Sequence, residues 1–309
     1  MRLNDVVLFA VVFGSMGIAV IIPELGRVFQ PYLIHFMMVL LFLSFLKIDF
    51  AALLDTSWTN LSRLVALTAT KLIVLPAALY WVFLVLLPDY AIPVLLLTGI
   101  STGVVAPFMG MLVGAEMVTI LRMVMVTSVL VPFSLPALVK VLAGAEVTIS
   151  LWIMVRILAM VIFLPMGMVL IVRKLAPGLL DRLNRNQFPI SMLLFALVNL
   201  GVFSKYSSFF FANPVQIVIC VGVAYALSVI YYGAGFALTI REESSRQLAA
   251  GISLSILNNI LVIVFSSKFF GPLSPTLAAM YMFPYYSMIV PARLVVLRMA
   301  RLRHHRGDA

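Results

Sequence analysis

Apolar runs long enough to cross a bilayer as a helix, about 20 residues each, recur from one end of the chain to the other. They lie near 6–26, 30–47, 60–87, 92–114, 117–142, 149–173, 187–205, 213–240, 246–268 and 273–300. Short hydrophilic joints separate them, the longest being KLAPGLLDRLNRNQ at 174–187. The pattern predicts an all-α integral membrane protein with ten transmembrane helices. Only Arg2 precedes the first run as a basic head, and no small-residue cleavage site ends it. That run is therefore expected to stay as a helix and not to act as a signal peptide.

Composition agrees. Hydrophobic residues make up 64% of the 309 positions and charged residues 10%, where a soluble domain carries about 25% charged residues. The net charge of +10 would suggest nucleic acid in a soluble protein, but its placement argues for topology. Alternate joints hold Arg2, Lys47 and Arg63, then Arg173, Lys174, Arg182 and Arg185, then Arg241 and Arg246, then Arg298, Arg301, Arg303 and Arg306. The opposite joints hold little beyond Arg27, Lys140, Lys205 and Lys268. Basic residues stay on the cytoplasmic side, so both termini are expected there, in a bacterial inner membrane. The tail RLRHHR anchors this topology and could also bind anionic membrane lipid. Cys220 is alone, which leaves no disulfide framework.

The chain divides into 1–145 and 146–309, each with five apolar runs, the second also holding the 174–187 loop and the basic tail. Five is odd, so the halves would enter the membrane from opposite sides, as an inverted repeat requires. The fourth run of each half is unusual. TGISTGVVAPFMGMLVG sets Gly99, Gly103, Pro107, Gly110 and Gly114 at membrane depth, and AAGISLSILNNILVIVF sets Gly251, Ser253, Ser255, Asn258 and Asn259 there. Interrupted helices at corresponding places in two halves point to a transporter's binding site, although glycines also serve close helix packing. Prolines inside the fifth and tenth runs, at VPFSLPALVKVL and MFPYYSMIVPARLVVL, echo one another.

Several stretches resemble the bile acid/sodium symporter family: PYLIHFMMVLLFLSFLKIDFAALL (31–54), TKLIVLPAAL (70–79), GISTGVVAPFMGMLVGAE (99–116) and SLSILNNILVIVF (253–265). The resemblance spans roughly residues 6–300. It implies a ten-helix fold with a panel domain, a core domain containing two crossing helices, and organic-anion substrates. It also exposes departures. Pro107 and Phe108 stand where the family has a Ser-Asn pair on sodium, and Leu254 where it has a shared glutamate. Asn258 and Asn259 stand at its Gln-Asn pair, and Lys71 at a sodium-site glutamine. Hard cations need oxygen ligands, so sodium coupling of the usual kind is not expected, and no other cofactor is.

Every carboxylate falls in a joint or near a helix end: Asp5, Glu24, Asp49, Asp55, Asp89, Glu116, Glu146, Asp181, Glu242, Glu243 and Asp308. Four basic residues do not: Lys71, Arg122, Arg156 and Arg293. Each costs roughly 2.5–3.5 kcal/mol at a helix centre on insertion scales. The arginines could reach an interface by extending their side chains. Lys71 lies deepest, and could either stretch to the interface or act as a built-in cation. His35 reads as interfacial, while Tyr285 and Tyr286 could line a cavity or pack. No metalloprotease, nucleophile-elbow, phosphate-loop or dinucleotide fingerprint occurs in a fitting context, so no enzyme is expected.

These features lead to a secondary transporter of a small organic anion. Thr102, Gly103 and Pro107 at the first crossing, with Ser255, Asn258 and Asn259 at the second, are the expected substrate residues. Thr127 and Ser128 are second-line, and Lys71 and Arg122 would replace ion sites or couple transport. The rival is a non-transporting sensor or subunit that keeps the fold. The topology is testable by replacing Arg185 and Lys205 singly with cysteine in a Cys220→Ser background. The first should label with impermeant reagent from the cytoplasmic face only and the second from the outer face only. Labelling of both from one face contradicts the scheme.

Overall fold

The structure, a computed structural model, describes residues 3–46, 58–144 and 150–307. Among these every named element is helical, and the β contact recorded is an isolated bridge between Thr102 and Leu257. The chain begins with α1 (Leu3–Ile21), α2 (Pro23–Arg27) and α3 (Leu33–Phe45). A long rod follows: α4 (Trp58–Ala69), a wide π-helical turn at Thr70–Val74, and α5 (Leu75–Leu86). Then come the half-length helices α6 (Ala91–Thr98) and α7 (Ala106–Val113). Next are α8 (Met117–Ala143), α9 (Leu151–Leu175), α10 (Pro177–Lys205), the short α11 (Ser207–Ala212) and α12 (Pro214–Leu238). A second half-length pair follows, α13 (Ser244–Ser255) and α14 (Asn259–Phe269), and the chain closes with α15 (Leu273–Met280), α16 (Met282–Ser287) and α17 (Ile289–Gly307).

Six helices among the described residues are long and apolar enough to cross a membrane, or seven if the pair Leu273–Ser287 and Ile289–Ala300, bent by 48°, is one span. Their outer faces leave large apolar side chains uncovered, including Trp81 at 56%, Val85 at 79% and Val218 at 72% exposure. A soluble monomer rarely presents so much contiguous apolar surface; hydrocarbon would cover it. The expected spans 92–114 and 246–268 each fall on a pair of half-length helices.

Two expectations need correction. The 174–187 stretch is not a loop: α9 runs through Leu175, only Ala176 leaves helical geometry, and α10 starts at Pro177. Proline at a first helical position has its φ preset and needs no amide donor, and the leucines, arginines and glutamine after it are good helix formers. The 273–300 run is not one rod either. Pro284 has no N–H to give Met280 and Pro291 none to give Ser287, each four residues back, and such losses kink or break a helix. The 48° bend lies between Ser287 and Ile289. The junction at 145/146, together with Arg2, Lys47, Asp49, Asp55, Glu146 and Asp308, lies outside the described residues, as do the side chains of Asp5, Asp181 and the RLRHHR tail.

The helices form two packed groups. One contains α1, α2, α3, α9 and α10, and the other contains α4–α8 with α12–α17; α14 touches α3 and α10 across the divide, and α9 also packs on α8. In the second group α12 and α13 approach to backbone contact, because a Cβ on Gly235 would lie 2.6 Å from the Gly251 Cα. Near the start of α13 a polar cluster joins three elements. Arg63 pairs with Glu242 at 2.5 Å, Arg246 with Glu116 at 3.1 Å and with Glu242 at 3.4 Å, and the Glu116 amide donates to the Ser245 carbonyl at 3.0 Å. Partly exposed pairs of this kind are individually modest, but this set ties the segment after α7 to the first turn of α13. Gly235→Ala should lower the thermal unfolding midpoint in detergent, at a cost of about 1–3 kcal/mol from overpacking. Gly233→Ala, whose added carbon meets nothing within 4 Å, is the neutral control.

Candidate functional site

The two interrupted helices meet at their breaks. α6 stops at Thr98 and α7 starts at Ala106, so the first break opens at Gly99, and Pro107 belongs to the first turn of α7. α13 stops at Ser255 and α14 starts at Asn259. Between them the strands of chain pair antiparallel: the Gly103 amide donates to the Ile256 carbonyl at 2.8 Å and the Asn258 amide to the Ser101 carbonyl at 3.1 Å. Glycine is required here by space. A Cβ at Gly103 would stand 2.5 Å from the Leu257 carbonyl oxygen.

A helix ending away from water leaves its last carbonyls without donors, and α13 finds one for each. Ile252 receives the Ile256 amide at 2.8 Å, and Ser253 the Thr102 hydroxyl at 2.7 Å. Leu254 receives the Lys71 ammonium at 2.5 Å, and Ser255 the Tyr281 hydroxyl at 2.9 Å. The end of α6 is treated alike, with the Tyr231 hydroxyl donating to the Thr98 carbonyl at 3.1 Å. Thr127 supports the same knot. Its hydroxyl oxygen accepts the Thr102 amide at 2.9 Å and donates to the Met123 carbonyl at 2.6 Å.

Lys71 reaches this place from the wide turn at Thr70–Val74 and is fully buried. Its ammonium lies 4.9 Å from the Tyr231 ring centre, a cation-on-aromatic contact, as well as on the Leu254 carbonyl. Carbonyl ends of helices carry partial negative charge, so the cation sits at the negative pole of α13. It does not stretch to an interface.

The positive poles of the other half-helices face the opposite way, into a cavity of about 430 Å³. α3 and α10 form one wall; the other comes from the starts of α7 and α14 with parts of α8 and α16. Among the described residues its lining is mostly apolar and holds no charged side chain. Its polar groups include Gln187, Ser191, Asn258, Asn259, Tyr285 and Tyr286. Asn259 is 4% exposed, and neither atom of its amide has a hydrogen-bond partner among the described residues. A buried amide normally finds partners, so this one is presented to whatever enters.

Of the residues expected from sequence, Gly103, Pro107, Asn258 and Asn259 line the cavity. Thr102, Ser255, Thr127 and Lys71 lie behind it, holding the breaks together, and Ser128 is buried beside Thr127. Arg122, half-buried on α8, does not line it, and Arg156, Arg293 and His35 are exposed. Sequence reasoning missed Tyr231 and Tyr281, whose hydroxyls work on distant carbonyls, and Gln187 and Ser191, which fall at the edge of a stretch read as a loop. No family model matches the chain, and no curated protein is significantly similar to it.

Each donor to α13 should matter by itself. Thr102→Val and Tyr281→Phe each leave a buried carbonyl unpaired and should cost about 1–3 kcal/mol of stability, measured by thermal unfolding in detergent. Neutral results for both would mean that these carbonyls are solvated some other way.

Proposed function

We propose that this chain is a secondary transporter that carries a small organic anion by alternating access without sodium coupling. The observation that carries the reading is the cavity onto which two half-helix starts converge, with the Asn259 amide unpartnered inside it. Helix N-termini favour negative charge, and discontinuous helices that point their starts at an anionic group are a recurring device of transporters. The division of helices into two groups, with the cavity between them, supplies the parts that would rock against each other.

On this reading, supported by the resemblance to the bile acid/sodium symporter family, the chain crosses a bacterial inner membrane ten times. Its halves, 1–145 and 146–309, are inverted repeats, and both termini are cytoplasmic. Sodium is dispensable because Lys71 brings its own ammonium group to the negative pole of α13. The Leu254 carbonyl, the only oxygen that residue has, already accepts from its ammonium. The rival, a sensor that retains the fold, draws on the missing side-chain oxygens at Pro107, Phe108 and Leu254.

Uptake into proteoliposomes separates the two. Across a panel of radiolabelled monocarboxylates, at least one should enter saturably, with a rate unchanged when choline replaces sodium. Lys71→Gln should lose most of this transport and gain no sodium dependence. A strict sodium requirement in the unaltered protein contradicts the proposal, and absence of saturable uptake across the panel favours the sensor.

A further inference from the structure

Five of the 24 residues lining the cavity are methionines, in a chain that has 18 among 309. They are Met37 on α3, Met111 on α7, Met117 on α8, Met192 on α10 and Met282 on α16. No two share a helix, and both packed groups contribute. Methionine differs from the leucine and valine around it in having an unbranched side chain with three rotatable bonds and a polarizable sulfur. It fills irregular gaps, sits well against aromatic rings and is over-used on surfaces that accept many partners. The polar part of the cavity is the reverse of this. Asn259 and the starts of α7 and α14 are short, backbone-anchored groups at fixed positions.

We propose that the cavity is a polyspecific site: it holds one anionic head at Asn259 and the two helix starts, and accepts apolar bodies of unlike shape by repacking its five methionines. The inference rests on the reading of this cavity as the anion site. With no basic side chain among the described lining residues, the head carries a single charge, and a second charge would enter an apolar wall without a partner. The volume, about 430 Å³, lies in the range of sites for drug-sized molecules. Branched residues would mould that space to one body; methionines on five independent elements do not.

The full chain in lipid nanodiscs tests this by methionine footprinting. Dilute hydrogen peroxide converts methionine to its sulfoxide, and peptide mass spectrometry reads the rate at Met111, Met117 and Met192. Met160 and Met168, 44% and 46% exposed and outside the cavity, serve as references for peroxide and for probe dissolved in lipid. Four monocarboxylates of one charge and different body are the probes: decanoate, cyclohexanebutanoate, 1-naphthaleneacetate and biphenyl-4-acetate. Each should slow oxidation in the cavity relative to the references, with half-effect concentrations within about tenfold of one another, a spread of about 1.4 kcal/mol. The combined Met37→Ile, Met192→Ile and Met282→Ile variant, read at Met111 and Met117, should widen that spread beyond tenfold. The comparison on unaltered protein decides alone if the variant does not fold. One probe binding more than tenfold tighter than the rest overturns polyspecificity and leaves the anion site standing. Protection by none of the four overturns both.

Discussion

A helix that stops inside an apolar layer has four carbonyl groups and no water to bond them. α13 stops in that way at Ser255, and the donors that come to its end arrive from far along the chain. Thr102 comes from the break between α6 and α7, Lys71 from the long rod, Tyr281 from the joint between α15 and α16, and Gly103 through its backbone. Satisfying those few oxygens fixes where α6, the α4–α5 rod and α15 stand relative to α13. The cavity follows from the same event. Once the two breaks are pinned back to back, the starts of α7 and α14 have to open onto the remaining side, towards α3 and α10.

The arrangement separates charge from contact. The buried cation is on the carbonyl side of the knot and the cavity is on the amide side, where the helix starts contribute positive dipole ends. A lysine in the lining would bind an anion more strongly and release it more slowly, and would itself need a partner when the site was empty. Set behind the wall, Lys71 has its partners in the Leu254 carbonyl and the Tyr231 ring, away from the cavity. Dipoles and a neutral amide give a weaker, more reversible grip on an anion than a charged side chain would.

Local patterns were legible where they depended on local physics. Runs of apolar residues marked the helices, and glycine, proline and paired asparagines marked both breaks, because a backbone that leaves helical geometry needs small or polar residues nearby. The depth of Lys71 was visible from its position in an apolar run. Its partner was not, since a backbone carbonyl has no residue type to betray it. Tyr231 and Tyr281 were hidden for the same reason, and so was the bond that the Thr102 hydroxyl gives the Ser253 carbonyl. The 174–187 stretch misled because its polarity resembles a loop, while its composition suits the helix that it forms.

The wide turn at Thr70–Val74 shows how the knot gets its cation. Up to and into its first residues the buried positions are Leu67, Thr68, Lys71 and Leu72; beyond it they are Pro76, Leu79, Tyr80 and Phe83. On a uniform α-helix the second set would lie about 100° around the axis from the first, one residue's rotation at 3.6 residues per turn. The wide turn takes up one additional residue and brings both sets onto a common face. Lys71 occupies the place where the phase of the helix is reset. Adding one further residue that the turn did not absorb would leave every side chain chemically intact, yet turn the lower rod by about 100° relative to the upper one. The facing of the two parts of this rod is therefore a matter of residue count as much as of residue identity.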